Sequence, residues 1–350
     1  MLLFVSHYPD EDSVKDGMSQ RIVNVDNFFK TDERIYLDIS LRRFPKIKYN
    51  SIGKLSVLEC NFFLHFFTIY RLFKKANKIY FHSVLNVLNG LIFCLLIKRE
   101  IILDLHGVVP EEFKMNGKKL CFIVFKFCEI VIFRKAKIAI CVSENMKKFY
   151  QKSYPKSLVK FLIYPILPNT LTELIDINKS WDNSSTVNFI YSGNTQKWQN
   201  VELMIDIISR NLKNNFVFYI LTRNKSEMIN LFKQKIDLNA NNQIIIESVS
   251  PEQLDGYYQK CHYGFILRED VLVNNVACPT KLVEYLYYGI VPIVLSPNIG
   301  DFEALNYDYI YYDQLADSLL PLKSNNNNLI VRNLLQRNNE FNFRNKVLMS

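Results

Sequence analysis

Residues 278–294, CPTKLVEYLYYGIVPIV, predict a short helix that runs directly into a buried strand. Pro279 suits the first position of the helix, where its missing N–H group costs nothing. Gly289 suits the left-handed conformation that often follows a helix end. Residues 290–295 form an apolar run that only Pro292 interrupts, which is typical of a parallel strand covered on both faces. The segment therefore predicts the helix–strand unit of an α/β protein.

The start of this predicted helix offers the chemistry of an anion site. Its first N–H groups, near Thr280, have no acceptor within the helix and lie at the positive end of the helix dipole. Glu284 lies one turn further along on nearly the same face, where a carboxylate can accept hydrogen bonds from a ribose diol. A diphosphate site beside a ribose site favours the binding of a nucleotide sugar.

The composition allows one large or two ordinary domains and favours anionic partners. The chain has 350 residues, 49% of them hydrophobic, and a formal net charge of +9. Nucleotide diphosphates, acidic lipid surfaces and nucleic acids all suit such a charge. No nucleic-acid recognition module accompanies the charge, so we do not expect nucleic-acid binding. The 26 Phe and 20 Tyr residues fit large cores or membrane-facing surfaces.

Cysteine usage and apolar stretches predict a cytoplasmic protein. The seven cysteines are scattered, odd in number and without a CxxC pair, so we expect buried free thiols in a reducing compartment. The opening residues 1–5 are too short for a signal peptide. The longest apolar stretch, 84–97, contains Asn86 and Asn89 and falls short of the roughly 18 residues that a spanning helix needs.

Strand and helix patterns alternate in two series, which predicts two parallel sheets with helices on both faces. The first series has strands at 2–6, 34–39, 79–82, 101–105 and 138–142, with helices at 19–30, 61–75, 84–97 and 120–134. The second has strands at 187–191, 216–221, 243–247, 263–267, 291–295 and near 309–311, with helices at 201–210, 225–234, 251–260 and in the block quoted above.

A proline pair and a polar stretch separate the two series. Pro165 and Pro168 end the strand character of the first series, and residues 179–186 are polar. The predicted pieces are a first domain at 1–168, a nucleotide-sugar-binding domain at 169–328 that ends in the polar linker 325–328, and a last helix at 329–350 that joins the first domain.

Four stretches form a set that carries a family resemblance. They are residues 280–292, the strand–glycine loop Tyr191-Ser192-Gly193-Asn194, the dipeptide Pro168-Asn169, and residues 104–112, DLHGVVPEE. Together they resemble the donor signature, glycine loop, interdomain linker and histidine loop of family-4-type retaining glycosyltransferases of bacterial surface-polysaccharide synthesis. That family has the GT-B fold, an α/β architecture of two Rossmann-like doubly wound domains facing a cleft. Ligands of such sheets bind outside the carboxyl ends of the strands.

On the donor side, the predicted catalytic cations are Arg268 and Lys281. Arg268 follows a strand, where a guanidinium can clamp a leaving diphosphate, and Lys281 adds a second charge. The alternative for Arg268 is a surface ion pair with Glu269 or Asp270. The other residues that we assign to the donor on position and resemblance are Gly193, Asn194, Lys197, Asn275, Pro279, Thr280 and Glu284.

On the acceptor side, His106 follows the strand at 101–105, and the resemblance implies that it contacts the donor sugar as a catalytic residue. Its alternative role is to cap backbone groups of the loop. Glu112 either orients acceptor hydroxyls or caps the next helix. Gly17 would let the backbone approach a phosphate or the acceptor.

One position departs from the family pattern. The family often has two glutamates eight positions apart, and the position eight before Glu284 is Val276. Asn274, Asn275, Glu269 and Asp270 are the candidates to replace the first glutamate, which the resemblance assigns to the donor sugar. The identity of the sugar therefore stays open.

Two basic, aromatic stretches favour contact with an anionic membrane surface. Residues 62–75 and 121–137 mix Phe, Ile and Leu with Lys and Arg, as expected either of helices resting on a bilayer or of core helices with basic ends. Asp10-Glu11-Asp12 imitates a metal-binding Asp-x-Asp motif, but it follows a single strand, so we interpret it as a solvated loop and expect no metal.

The sequence as a whole predicts a metal-independent, retaining glycosyltransferase without a cofactor, peripheral to the inner face of the cell membrane. Its donor would be a nucleotide sugar, UDP- or GDP-linked, and its acceptor a glycan or lipid-linked glycan. Two alternatives stay open at this point: a nucleotide-sugar 2-epimerase, and a non-catalytic GT-B partner subunit.

Overall fold

The computed structural model describes residues 1–10, 17–168, 171, 186–212, 215–238, 241–315 and 319–349. Glu11, Asp12 and Asn169, which entered the motifs above, lie outside these residues. The chain divides into two compact units, Met1–Ile166 with Asn338–Ser350 and Leu167–Arg337. Each unit is built on its own parallel or mainly parallel sheet.

The first unit contains an eight-stranded sheet in the order β3-β4-β2-β1-β5-β6-β7-β8. Its neighbouring strands are parallel except for the antiparallel pair β3–β4. The strands are β1 Leu2–Val5, β2 Arg34–Ser40, β3 Lys48–Ile52, β4 Leu55–Asn61, β5 Lys78–His82, β6 Glu100–Leu105, β7 Ala136–Cys141 and β8 Lys160–Ile163. The helices before the boundary are α1 Gly17–Phe28, α2 Phe66–Lys75, α3 Val87–Leu96, α4 Val109–Met115, α5 Lys119–Phe133 and α6 Glu144–Ser153.

The second unit contains a fully parallel six-stranded sheet in the order β11-β10-β9-β12-β13-β14. The strands are β9 Val187–Ser192, β10 Phe216–Leu221, β11 Ile244–Glu247, β12 Tyr263–Ile266, β13 Val291–Val294 and β14 Ile310–Tyr311. The helices are α7 Val201–Arg210, α8 Lys225–Lys233, α9 Pro251–Lys260, α10 Leu272–Asn275, α11 Thr280–Tyr287 and α12 Asn325–Glu340, and the last helix of the chain is α13 Phe343–Leu348.

An aromatic cluster forms part of the core of the first unit. The rings of Phe4 and Tyr36 stack at 4.6 Å between centroids, and Tyr80 lies 5.0 Å from Phe4. The C-terminal helix α13 packs against the same cluster, with Phe343 6.3 Å from Phe29. The last residues of the chain therefore complete the core of the unit that the first residues begin.

Two predicted boundaries were wrong, the first because of a local turn and the second because of tertiary contacts. Residues 61–65 are not helical: Asn61 ends β4, and its Oδ1 atom accepts hydrogen bonds from the N–H groups of Phe63 and Leu64. The predicted linker 325–328 is instead the first turn of α12. Asn327 and Asn328 are buried there, and their side chains donate to backbone carbonyls, which offsets the low helix propensity of asparagine.

All seven cysteines are free, five of them buried and Cys121 and Cys278 partly buried. Among the described residues, every helix is too short or too polar to cross a membrane.

Candidate functional site

The corner between α11 and β13 has the geometry that the sequence predicts at Gly289. Its φ angle is +68°, in the left-handed region. The N–H of Gly289 donates to the carbonyl of Leu286, and that of Ile290 donates to the carbonyl of Tyr285. This pair of bonds is the Schellman motif, which ends the helix and turns the chain into the strand. Pro279 differs slightly from the prediction, because it is the N-cap residue rather than the first helical residue.

The N-terminus of α11 lies beside the carboxyl ends of two strands. Thr280 is the first helical residue, and the N–H groups of the first turn have no acceptor within the helix. Gly193 follows β9, and Arg268 comes two residues after β12. Because β9 has β10 on one side and β12 on the other, the strand order reverses here, and ligands of such sheets bind at this point.

Lys281 and Arg268 form a pair of desolvated cations. Lys281 Nζ donates to Gln199 Oε1 at 2.9 Å and lies 4.1 Å from the ring centroid of Tyr191. Arg268 Nη1 donates to Asn274 Oδ1 at 3.2 Å. Across the described ranges, no acidic side chain forms an ion pair with either cation.

The pKa values of both cations respond to this environment. Burial, and then the positive charge of Arg268, lowers the pKa of Lys281 well below its usual value, against a smaller opposing effect of Glu284. Burial lowers the pKa of Arg268 to about 10. Two neighbouring cations without a paired carboxylate are well suited to hold an anion.

Glu284 is the carboxylate of this group, one turn after Lys281. It accepts a hydrogen bond from Tyr258 Oη at 3.0 Å, and Tyr258 Oη lies 2.9 Å from Ser192 Oγ at the end of β9. Burial raises the pKa of Glu284 to about 7, although the Tyr258 hydrogen bond and the charge of Lys281 act in the opposite direction. The carboxyl group is thus held in place by a residue that the sequence analysis did not identify.

The glycine loop makes room for Lys281. A Cβ atom on Gly193 would lie 2.8 Å from Lys281 Nζ, so a larger residue would displace the ammonium group. The side chain of the next residue, Asn194, is exposed and bonds within the loop to Gln196 at 2.9 Å. Lys197 is exposed, and the residue of this turn that reaches Lys281 is Gln199.

Asn274 and Asn275 lie in the segment that the sequence analysis expects to replace the missing first glutamate. Val276 is buried in the core, 2% exposed, and Asn274 is the buried residue that contacts Arg268. Asn275 Nδ2 instead donates to Asp270 Oδ1 at 2.7 Å. The alternative surface pair of Arg268 with Asp270 or Glu269 does not form. The donor role of Asn275 stays a prediction.

In the first unit, His106 belongs to a buried network centred on Asp104. His106 Nε2 lies 3.0 Å from Asp104 Oδ2. Arg21 binds the same carboxylate through two bonds, of 2.9 and 3.1 Å, and Tyr80 Oη donates to it at 2.8 Å. Burial opposes the ionisation of Asp104, but Arg21 and then His106 outweigh it and hold the pKa of Asp104 well below its usual value.

His82 completes this network from the neighbouring strand. It pairs with Asp104 in the β5–β6 ladder, and its Nδ1 atom lies 3.6 Å from Asp104 Oδ2. Burial lowers the pKa of His82 to about 4, so the ring is neutral at physiological pH. Ligand atoms of His82, Asp104 and His106 come within 4.8 Å of one another, as in a metal site. Arg21 and Tyr80 already occupy the carboxylate, so the geometry favours a network that orients His106.

The other residues predicted for the acceptor flank the same loop. Glu112 lies in the first turn of α4, and its carboxylate packs against Gly107, next to His106. Burial raises the pKa of Glu112. Gly17 begins α1. The roles of Glu112 and Gly17 toward an acceptor stay predictions.

The chain has the GT-B fold, as comparison with solved structures shows. No protein-family model and no curated protein sequence matches it. A structure titled trehalose-6-phosphate from E. coli, bound with UDP-2-fluoro glucose, has a TM-score of 0.66 at 10% identity and covers 99% of this chain and 98% of that one. Sucrose-phosphate synthase from Thermosynechococcus elongatus has a TM-score of 0.65 at 11% identity, covering 100% and 99%. HepE from Anabaena, in complex with UDP and glucose, has a TM-score of 0.64 at 11% identity, covering 97% of each chain.

Proposed function

We propose that this protein is a glycosyltransferase that moves a sugar from a nucleotide-sugar donor to a glycan or lipid-linked glycan acceptor. The observation that carries the proposal is the group formed by Lys281, Arg268 and Glu284. Lys281 lies in the first turn of α11 and Arg268 in the loop after β12, both without an ion-pair partner among the described residues, and Glu284 lies one turn after Lys281. These are the complementary groups for a diphosphate and a ribose.

In the proposed donor complex, the diphosphate lies against the first turn of α11 and is held by Lys281 and Arg268. Glu284 accepts the hydrogen bonds of the ribose hydroxyls. Similar GT-B structures contain UDP, UDP-glucose or UDP-2-fluoro glucose, which favours a UDP-linked donor for this chain.

The proposed reaction proceeds with retention and without a metal ion, as the resemblance to family-4-type enzymes implies. The bond between the anomeric carbon and the diphosphate breaks, and both electrons leave with the phosphate oxygen. Lys281 and Arg268 stabilise this developing charge, because their positions are fixed before the reaction begins. The acceptor hydroxyl attacks from the face that the nucleotide leaves, and its proton passes to the departing phosphate.

The acceptor side of the proposal rests on the loop after β6. His106, oriented by Asp104, would contact the donor sugar, and Glu112 would receive a hydrogen bond from an acceptor hydroxyl. Gly17 would let the acceptor approach the backbone. We place the reaction in the synthesis of a bacterial surface polysaccharide, in the cytoplasm at the inner face of the membrane.

A nucleotide-sugar 2-epimerase is the second candidate, but it needs carboxylates around the sugar. The buried Val276, at the position where the family pattern has a glutamate, argues against it. The third candidate, a non-catalytic partner subunit, would keep the donor site and lack turnover.

The test is nucleotide release from a panel of UDP- and GDP-sugars, with and without a lipid-linked glycan acceptor. We expect acceptor-dependent release that survives EDTA. Arg268→Ala and Lys281→Ala should each lower turnover about 100-fold, while Lys233→Ala, an exposed lysine of α8, should have no effect.

Three outcomes would contradict the proposal. Release of nucleotide with interconversion of the sugar and no acceptor dependence would indicate the epimerase. Nucleotide-sugar binding without any turnover would indicate the partner subunit. Full turnover in the double variant Arg268→Ala/Lys281→Ala would mean that other residues hold the diphosphate.

A further inference from the structure

Three helices of the first unit expose large apolar side chains. In α2 and the turn before it, Phe63 is 69% exposed and Phe67 is 76% exposed. In α5, Leu120 is 75% exposed. The remaining members of the set are Leu64 beside α2, Leu88, Ile92, Leu95 and Leu96 in α3, and Ile123 and Phe127 in α5. Exposed apolar side chains of this number and size mark an interaction site rather than ordinary surface.

The three helices are neighbours in one layer. Phe93 of α3 packs against Phe66 and Phe73 of α2, at 5.0 and 5.1 Å between ring centroids. Helix α3 also contacts α5. The exposed positions of α3 and of α5 recur at helical spacings of three and four, so each helix presents a stripe opposite its buried side. We call the exposed apolar side chains of α2, α3 and α5 the three-helix face.

The charged residues of the segment that carries α2 and α3 have a single sign. Residues 62–99 contain six Lys or Arg and no Asp or Glu. Lys78 pairs with Glu100, whereas the other basic residues of this stretch are exposed and form no ion pair among the described residues. The exposed set is Arg71, Lys74, Lys75, Lys98 and Arg99, together with Lys114 in α4, Lys118 before α5 and Lys119 at the start of α5.

Two of the basic residues that the sequence analysis expects to face a membrane, Lys126 and Lys137, are instead paired with carboxylates. Lys126 Nζ donates to the buried carboxylate of Glu129 at 2.8 Å and lies over the ring of Tyr154. Lys137 is paired with Glu100. Arg134 and Lys135, which follow α5, are exposed. The available positive charge therefore lies at the ends of α2 and α3 and at both ends of α5.

We propose that the three-helix face docks on an anionic lipid bilayer. Aromatic and aliphatic side chains insert into the boundary between headgroups and acyl chains, and the surrounding lysines and arginines attract acidic headgroups. A second copy of the chain is a poor occupant, because a symmetric contact would bring these positive charges against one another. The inference rests on the proposed function, which places the enzyme at the inner face of the membrane, and adds the surface that makes the contact. Its test needs neither donor nor acceptor.

The test is sedimentation of the full chain with vesicles that contain no glycolipid, in the absence of nucleotide sugar. We expect binding to vesicles of phosphatidylcholine with 30% phosphatidylglycerol at about 0.05 M salt, release as salt rises, and poor binding to pure phosphatidylcholine.

Two variants separate the apolar and the charged contributions. Phe67→Ser/Leu95→Ser/Ile123→Ser changes exposed side chains only, so the fold should survive while binding to anionic vesicles falls at least tenfold. Lys74→Ser/Lys75→Ser/Lys118→Ser/Lys119→Ser should weaken binding by about fivefold per charge removed.

The matched control is Lys46→Ser/Lys156→Ser/Lys225→Ser/Lys233→Ser, which removes the same charge from exposed positions elsewhere. We expect it to bind nearly as well as the wild type. Equal loss in the control would show that only net charge matters, and would overturn the proposal. So would a wild type that ignores acidic vesicles at low salt, or a triple apolar variant that binds normally and instead loses a dimer in analytical ultracentrifugation.

Discussion

The ribose-binding role of Glu284 depends on whether its carboxyl group carries a proton. It needs to be ionised to accept both hydrogen bonds of a ribose diol, yet burial raises its pKa to about 7. Tyr258 opposes this effect, because its hydroxyl donates to the carboxylate from α9. Lys281, in the preceding turn, also favours the charged form, and Arg268 lies beyond it. Tyr258 is therefore a positioning residue whose effect should be measurable through pH.

Nucleotide affinity should consequently rise with pH across neutrality. Below pH 7 the carboxyl is increasingly protonated, so we expect affinity for the free nucleotide diphosphate to fall up to about tenfold per pH unit. Tyr258→Phe removes a hydrogen bond to the charged form and should move this transition to higher pH. Isothermal titration calorimetry between pH 5.5 and 8.5 measures both effects.

The Glu284→Gln variant serves as the control for this profile. It should bind nucleotide more weakly at pH 8 and should lose the fall in affinity that protonation of Glu284 causes below pH 7. In the wild type, the free energy of unfolding should fall as pH rises, whereas nucleotide affinity should increase. A carboxyl whose pKa is raised by folding destabilises the folded protein as pH rises between its unfolded and folded pKa values, so Glu284→Gln should be at least as stable as the wild type at pH 8. A Tyr258→Phe profile identical to that of the wild type would rule out the positioning role.

At the residue scale, sequence reasoning identified groups whose role follows from local position. Lys281 and Glu284 share one helix, so their spacing already predicts a common face. Tyr258 and Gln199 escaped notice because folding brings them to the site from separate segments. Asn274 was a candidate for the donor sugar, but its contact with Arg268 was not predicted. His82 was missed for the same reason, since the register of β5 with β6 places it opposite Asp104.

At the scale of elements, the helix–strand corner of α11 and β13 was predictable because its signals are local. A proline at the helix start, a glycine after its end and an apolar run specify the turn without help from the rest of the chain. The antiparallel pair β3–β4 was not predicted. Strand β3 is exposed along its whole length, so burial leaves no alternating pattern in its sequence.

Replacing Gly289, which follows α11, and Gly256, which lies within α9, should have opposite effects on the free energy of unfolding. Gly289→Ala places a side chain at a φ of +68° and should lower the free energy of unfolding by about 1–2 kcal/mol. Gly256 lies within α9, and a Cβ atom there would meet nothing within 4 Å. Gly256→Ala should therefore raise the free energy of unfolding by about 0.5–1 kcal/mol. Urea denaturation followed by circular dichroism measures both, and a stabilising Gly289→Ala would contradict the assigned helix end.

At the scale of the whole molecule, α12 and α13 link the two units along the chain. The boundary between the units falls between Arg337 and Asn338, inside α12. Before it, Val331 is fully buried in a core cluster of the second unit; after it, Phe343 is buried in the aromatic core of the first. The crossing point was not predictable from the sequence, because the asparagine run that begins α12 owes its helical state to buried hydrogen bonds.

One substitution in α13 and one in α12 allow the stability of each unit to be tested separately. Phe343→Ala removes a buried ring from the first unit and should lower the free energy of unfolding of that unit by about 3–5 kcal/mol. Arg344, paired with Asp32 through two bonds of 2.8 Å, keeps the helix anchored in this variant. Because each unit has its own core, nucleotide binding in the second unit should persist after the first has lost structure.

Val331→Ala is the matched substitution on the other side of the boundary, and it should destabilise the second unit instead. Hydrogen exchange read by mass spectrometry distinguishes the two, through faster exchange in β1, β2 and β5 for Phe343→Ala and in β9, β12 and β13 for Val331→Ala. The nucleotide ligand should protect the second set of strands and leave the first unchanged, since Lys281, Arg268 and Glu284 all belong to the second unit. If Phe343→Ala abolished nucleotide affinity while exchange in β9, β12 and β13 stayed normal, the donor site would need the first unit, and the assignment of the whole diphosphate–ribose site to one unit would be wrong.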